Sequence, residues 1–458
     1  MVFNSLAFAI FLPLVWLLYW SFKSDRIRRA VLLVASLVFY ARWDWRFVFL
    51  MAGVRLTTWG AAILLQRAKQ QSAATKAKWI LRAGVALPLL VLAFFKYALF
   101  LLDSLAAALS MGGVQTAVPQ WDIILPVGIS FYTFQALSYL IDVHRGRCEL
   151  ERSFSKVLLY IGFFPQLVAG PIVTANSFIP QLKSARQFSP VLFVDGLRLI
   201  LWGMLLKVVF GDTLATWADP VFEAPLDYTL IGRWSGVLAF YGQIYFDFAG
   251  YSFIAIGIGK TFSYTLPENF NVPYAARSVT EFWKRWHISL SSWLRDYLFI
   301  PLGGNRSHYL RNLMITMVLG GLWHGASWNF VLWGALHGAA LCLHKLWMRR
   351  RGDGAPSTAW APVIASWVAT QAFVLLTWVP FRATDLGSTL SFFTTAANEG
   401  ALTVPPTLIT WPWLLLPLIA DALLHRRITT PSTNKKMLRT MMNSHTSSMP
   451  LAVKNSRM

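Results

Sequence analysis

The chain has 458 residues, of which 56% are hydrophobic and 13% charged, with a mean hydropathy of +0.50, a balance that excludes an ordinary soluble protein. The net charge of +21 raises nucleic acid as a partner, but the Lys and Arg residues stand in short clusters between apolar runs, as cytoplasmic loops do, so no nucleic-acid partner is expected. Anionic lipid heads and a phosphorylated donor suit such clusters instead. Cys148 and Cys342 lie in unrelated contexts without metal-ligand spacing, so packing roles are expected and neither a disulfide framework nor a metal site.

In chain order, residues 5–20 are apolar and are followed by Lys23, Arg26, Arg28 and Arg29, the reverse of a signal peptide's charge order, which predicts a retained span with its N-terminus outside. Residues 30–40 and 47–65 are apolar around Arg42, Asp44 and Arg46. The first run is shorter than the roughly 20 residues that cross a bilayer, so a tilted, broken or re-entrant segment is expected here. Arg67, Lys69, Lys76, Lys78 and Arg82 mark a cytoplasmic loop. Residues 83–109 then span despite Lys96, which is expected to snorkel or face protein. An external loop at 110–120 leads to a span at 123–141 that ends at Asp142, His144, Arg145 and Arg147, with His144 read as a solvated loop residue.

Residues 157–172 end in AGP, which predicts a half-span, and 190–210 and 231–259 are further spans. Asp247 lies inside the second of these. A salt bridge to a basic helix is the plain reading and a catalytic carboxylate the alternative. Residues 261–309 are amphipathic, predicting interfacial or re-entrant helices, and spans follow at 310–323, 326–346, 360–380 and 408–424. The tail 425–458 is polar, basic and without apolar periodicity, so it is expected to be disordered. The expectation is one all-α membrane domain over residues 1–424 with ten to thirteen segments, because lipid admits only helices or closed barrels.

Two stretches carry chemistry. Residues 320–338, GGLWHGASWNFVLWGALHG, hold His324 in an almost wholly apolar run, beside Gly320, Gly321 and Gly325, which let other groups approach the ring. Upstream, residues 278–306 read SVTEFWKRWHISLSSWLRDYLFIPLGGNR; Ser278 and Glu281 form a capping box that starts a helix at Val279. Phe282, Trp286, Leu290, Trp293 and Tyr297 make one stripe of that helix, and Lys284, His287, Ser291 and Arg295 a second. His337, thirteen residues after His324 and so about 140° around an ideal helix, is read as structural.

These two stretches, together with LPVGISFYTFQALSYLIDVHRG, FFPQLVAGPI and YFDFAGYSFIAIGIGKTF leading into PENFNVPY, resemble the membrane-bound O-acyltransferase family, in its bacterial branch that acylates exported polysaccharides. The resemblance implies a multi-span helical bundle with re-entrant helices and a central tunnel. It implies His324 as the general base and His287 as a second functional imidazole toward the cytosolic mouth, where a solvated basic face is the alternative. Lys284, Arg285 and Arg295 would hold the phosphates of coenzyme A, and Asn305 and Arg306 would help bind the donor or form a plain surface turn. Acetyl-CoA would be the acyl donor, with no permanently bound cofactor. The acyl group would cross the bacterial inner membrane to an extracytoplasmic acyltransferase partner of the SGNH type, which acts on alginate, peptidoglycan or cellulose. Three alternatives stay open: transfer of D-alanine to teichoic acid, a proton-coupled transporter with relaying histidines, and a scaffold that only recruits a partner.

Overall fold

The computed structural model describes residues 1–119, 121–167, 170–352, 359–402 and 418–419, and its regular structure is helical, with one isolated bridge between Tyr228 and Leu402. Most of the expected span at 408–424 and the whole tail from 425 lie outside the described residues. Four helices open the chain: α1 (Leu6–Ser21), α2 (Asp25–Ala41), α3 (Arg46–Gln70) and the 38-residue α4 (Ala74–Met111). The basic cluster expected as a loop at 67–82 is therefore mostly helical, with only residues 71–73 turning, because Lys and Arg are good helix formers.

The span expected from 123 starts only at α5 (Ile129–Arg145), after Gly128 takes a left-handed φ of 72°. A side chain there would strike the Leu167 carbonyl at 2.3 Å, so glycine is required. The residues expected as a half-span form α6 (Phe154–Gly162) and a single turn, α7 (Phe164–Leu167). Next come α8 (Ala175–Lys183), α9 (Pro190–Met204), a π-helical turn at Leu205–Gly211, α10 (Asp212–Glu223) and α11 (Leu230–Thr261). The last third comprises α12 (Val279–Arg285), α13 (Ile288–Leu294), a π turn at Arg295–Phe299, α14 (Tyr309–His324), α15 (Trp328–Arg351), α16 (Trp360–Arg382) and α17 (Leu386–Ser391). Among the described residues, α3, α4 and α16 are long and apolar enough to cross a membrane, and α1 is a shorter apolar helix.

Apolar side chains gain little by leaving lipid for one another, so helices in a membrane pack through small residues and hydrogen bonds. Antiparallel α9 and α11 meet at Gly196 against Gly257 and Gly203 against Gly250, where added Cβ atoms would stand 2.5–2.7 Å from the opposing carbonyl oxygens. Gly250→Val is therefore expected to cost about 1–3 kcal/mol as an overpacked contact, read as a lowered melting temperature in detergent. The α14–α15 hairpin is built the same way. A Cβ on Gly321 would meet the Phe330 carbonyl at 2.2 Å, and one on Gly334 the Met317 carbonyl at 2.4 Å.

Lys207, on the π turn after α9, bonds Asp247 of α11 at 2.8 Å and Asp212 at 2.6 Å, which is the salt bridge expected for the intramembrane carboxylate.

Candidate active site

The capping box is formed: Ser278 Oγ accepts the Glu281 backbone N–H at 3.1 Å and α12 begins at Val279. The single helix expected through residue 297 is not. Trp286 is extended, and His287 takes φ 43° and ψ 53°, a left-handed conformation that costs a non-glycine residue about 1–2 kcal/mol. The cause is Asn269, far upstream. Its carbonyl accepts the Ile288 N–H at 2.9 Å, and its side-chain oxygen accepts the Ser289 N–H at 3.3 Å and Oγ–H at 2.8 Å, so the chain is turned and a new helix starts.

This break divides the aromatic stripe. Phe282 and Trp286 stack on each other and pack toward Trp378, whereas Trp293 stacks face to face on Phe134 at 3.6 Å. The second stripe is dissolved: Lys284 and Arg295 are exposed while His287 is fully buried, so the solvated basic face does not hold for the imidazole. With the Asn269 amide nitrogen donating to Ser252 Oγ at 3.1 Å, its oxygen is the acceptor for His287 Nδ1–H at 3.0 Å. That leaves His287 Nε2 with a free lone pair, buried and unpartnered among the described residues.

His324 is the last residue of α14, and Gly325 leaves the helix in an extended conformation. Only glycine fits there, because a Cβ would stand 2.0 Å from the Phe330 ring. The imidazole is walled by Trp323, Trp333 and Phe381 at ring separations of 5.1, 5.2 and 5.1 Å, and the His287 ring lies 6.5 Å away. Among the described residues no group hydrogen-bonds its ring. The ring instead borders two cavities that share only Phe248 and His324. One, of 470 Å³, is lined by Lys96, Gly128, Ser130, Phe131 and Trp323; the other, of 360 Å³, by Gln243, Asp247, Trp333 and Arg382 among others. An imidazole with unengaged nitrogens between two cavities is available to a reactant from either side.

A third cavity, of 230 Å³, is lined by Ser289, Ser292, Asp296 and Tyr297 with Thr174 and Glu268. It shares no lining residue with the other two, and buried His287 directly precedes Ile288 and Ser289 of its wall while its ring lies 6.5 Å from that of His324. None of Lys284, Arg285, Arg295, Asn305 and Arg306 lines any of these three cavities. Arg285 is engaged by Glu281 at 2.8 Å and by the Asn271 carbonyl, and Arg295 by Asp296 at 2.7 Å. Asn305 and Arg306 are exposed after the expected glycine turn, where Gly303 and Gly304 have φ of 115° and 52°.

His337 lies on α15 and not on the helix of His324, so the angular argument does not apply. Its Nδ1 accepts the Trp283 indole N–H at 3.2 Å and its Nε2 lies 3.1 Å from Thr377 Oγ1, so both nitrogens are engaged. Sequence reasoning missed Asn269, although PENFNVPY was a recognised segment, and left Lys96 without a role. Lys96 faces protein: its ammonium donates to the Trp323 carbonyl and to Ser130 Oγ at 3.3 Å.

Three membrane-length apolar helices and an all-helical bundle among the described residues define an integral membrane protein, in which the fully buried His287 lies close to the partly buried His324 at the edge of two cavities. Residues 151–376 match the model of the MBOAT, membrane-bound O-acyltransferase family. The chain is 43% identical over 390 residues to a probable alginate O-acetylase of Azotobacter vinelandii, covering 84% of this chain and 76% of the relative. It is 34% identical over 429 residues to a peptidoglycan O-acetyltransferase of Helicobacter pylori, covering 85% and 78%. A teichoic acid D-alanyltransferase of Bacillus subtilis is 26% identical over 262 residues, covering 54% and 66%. The chain belongs to the membrane-bound O-acyltransferase family and is an O-acyltransferase.

Proposed function

We propose that this chain takes an acetyl group from cytosolic acetyl-CoA and passes it at His324 toward an exported polysaccharide, alginate or peptidoglycan being the substrates that its relatives' names offer. The observation that carries the reading is the His324 ring, free of hydrogen bonds from the described residues, at the meeting of two cavities. There a neutral imidazole accepts the proton of an attacking hydroxyl as its oxygen bonds to the thioester carbonyl carbon, and returns it to the departing thiolate. The aromatic walls exclude water that would otherwise hydrolyse the thioester. His287 directly precedes the wall of the Ser289 cavity, and its free Nε2 is an acceptor for the donor's thiol arm.

In this reading the Ser289 cavity faces the cytosol and the donor arrives there. Lys284, Arg285, Arg295, Asn305 and Arg306 contribute positive charge and donors around that entrance, and the acyl group leaves to an extracytoplasmic acyltransferase of the SGNH type in the bacterial cytoplasmic membrane. Residues 1–424 make up the transferase domain.

The test is label transfer from radiolabelled acetyl-CoA in vesicles holding the full chain, the partner and alginate or peptidoglycan fragments. Acetyl label reaching the polymer supports the reading. Label arriving only from a D-alanyl carrier protein, or a His324→Ala variant that loses proton flux while keeping transfer, overturns it.

A further inference from the structure

Lys96 is a cation set near the middle of the 38-residue α4, where a charge is expensive unless it faces a cavity or a partner. Among the described residues no carboxylate lies within ion-pair distance of it. An ammonium carries three donors. Two are used here, on the carbonyl of Trp323 and on Ser130 Oγ, and both of those residues border the same 470 Å³ cavity as Lys96 and His324. The third donor has no protein acceptor among the described residues. Holding the end of α14 does not call for the charge, because the neighbouring Tyr97 hydroxyl already donates to the Leu322 carbonyl at 2.7 Å. A fixed cation bordering the same cavity as the His324 imidazole, with one proton unused and no counter-ion among the described residues, is arranged for a negative charge that exists only during reaction.

We propose that the Lys96 ammonium receives the negative charge that develops on the thioester carbonyl oxygen during acyl transfer at His324. This rests on His324 being the transfer site. The acceptor hydroxyl gives its proton to the imidazole and its oxygen bonds to the carbonyl carbon, moving the C=O π pair onto oxygen. That oxyanion lies against the free Lys96 donor. The C=O bond then re-forms, the C–S bond breaks, and the thiolate takes the proton back from the imidazolium, leaving ester and free thiol. Donors fixed before the charge appears favour this state over the ground state without reorganising, and removing one such donor typically costs about 10²–10³ in kcat. Lys96 and Ser130 both precede residue 151, where the match to the family model begins, so this donor comes from outside the matched region.

The test uses the full chain together with its extracytoplasmic acyltransferase partner in lipid nanodiscs, acetyl-CoA as donor, an alginate oligosaccharide as the probe acceptor, and thiol release as the readout. Lys96→Gln keeps a neutral donor near the Trp323 carbonyl, and Lys96→Arg keeps the charge. The expected result is a fall in kcat of about 10²–10³-fold for Lys96→Gln, an unchanged KM for acetyl-CoA, and a clearly smaller loss for Lys96→Arg. If the Gln variant does not accumulate, Lys96→Met gives the same loss on the same reading. Wild-type kcat in Lys96→Gln overturns the proposal, as do equal losses in the Gln and Arg variants accompanied by lowered melting temperatures, which a purely structural tie would produce. A His324→Ala control separates the two ideas. If that variant turns over normally, the transfer site itself is misassigned; if it is dead while Lys96→Gln is normal, only the role of Lys96 falls.

Discussion

His324→Ala is expected to lower acyl transfer by about 10²–10⁴-fold, the range that a positioned general base supplies, while the protein still accumulates and melts close to the wild type. Activity and stability separate because the ring has no hydrogen-bond partner among the described residues and already borders two cavities, so its removal orphans no buried polar group. His324→Gln, nearer in size, gives the same loss with less disturbance of the Trp323, Trp333 and Phe381 walls. Thiol release together with a melting curve checks both halves. Transfer within tenfold of wild type in both variants removes His324 from the chemistry.

Asn269→Ala carries the second large effect, and here stability and activity fall together. The lost amide oxygen leaves three donors without their acceptor: His287 Nδ1–H, the Ser289 N–H and the Ser289 Oγ–H. Each buried orphan costs about 1–3 kcal/mol, enough to straighten the turn at 287 and rotate the imidazole away from the His324 chamber. Asn269→Asp, which keeps the acceptor oxygens, should retain more of both properties. The pair is compared by melting temperature and by initial rate, and an Asn269→Ala protein that melts and reacts like the wild type contradicts the clamp.

The parts of this site written into local sequence were the ones that could be read from it. The break at Gly325 was visible in the glycines around His324, and the start of α12 in the Ser278–Glu281 pair, because caps and glycine breaks depend on residues a few positions apart. The end of α12 was not visible. Periodicity carried the stripe across Trp286 and His287, yet the bonds that turn the chain there come from Asn269, eighteen positions before His287. Lys96 was legible as an anomaly but not as part of the site, since the Trp323 carbonyl it holds is 227 positions away. The positive charges at 284 and 295 looked like one face with His287 only on the assumption of an unbroken helix.

The backbone contacts between α9 and α11 fix more than an interhelix distance. With Gly196 on Gly257 and Gly203 on Gly250, sliding one helix by a turn would drive a side chain into a carbonyl, so the pair has a single register. The height of Asp247 opposite Lys207 is thereby set by four residues that have no side chains, and the ion pair is a passenger of that lock. Neutralising the carboxylate would change the charge lining the His324 chamber while leaving the chamber's shape where the glycines put it.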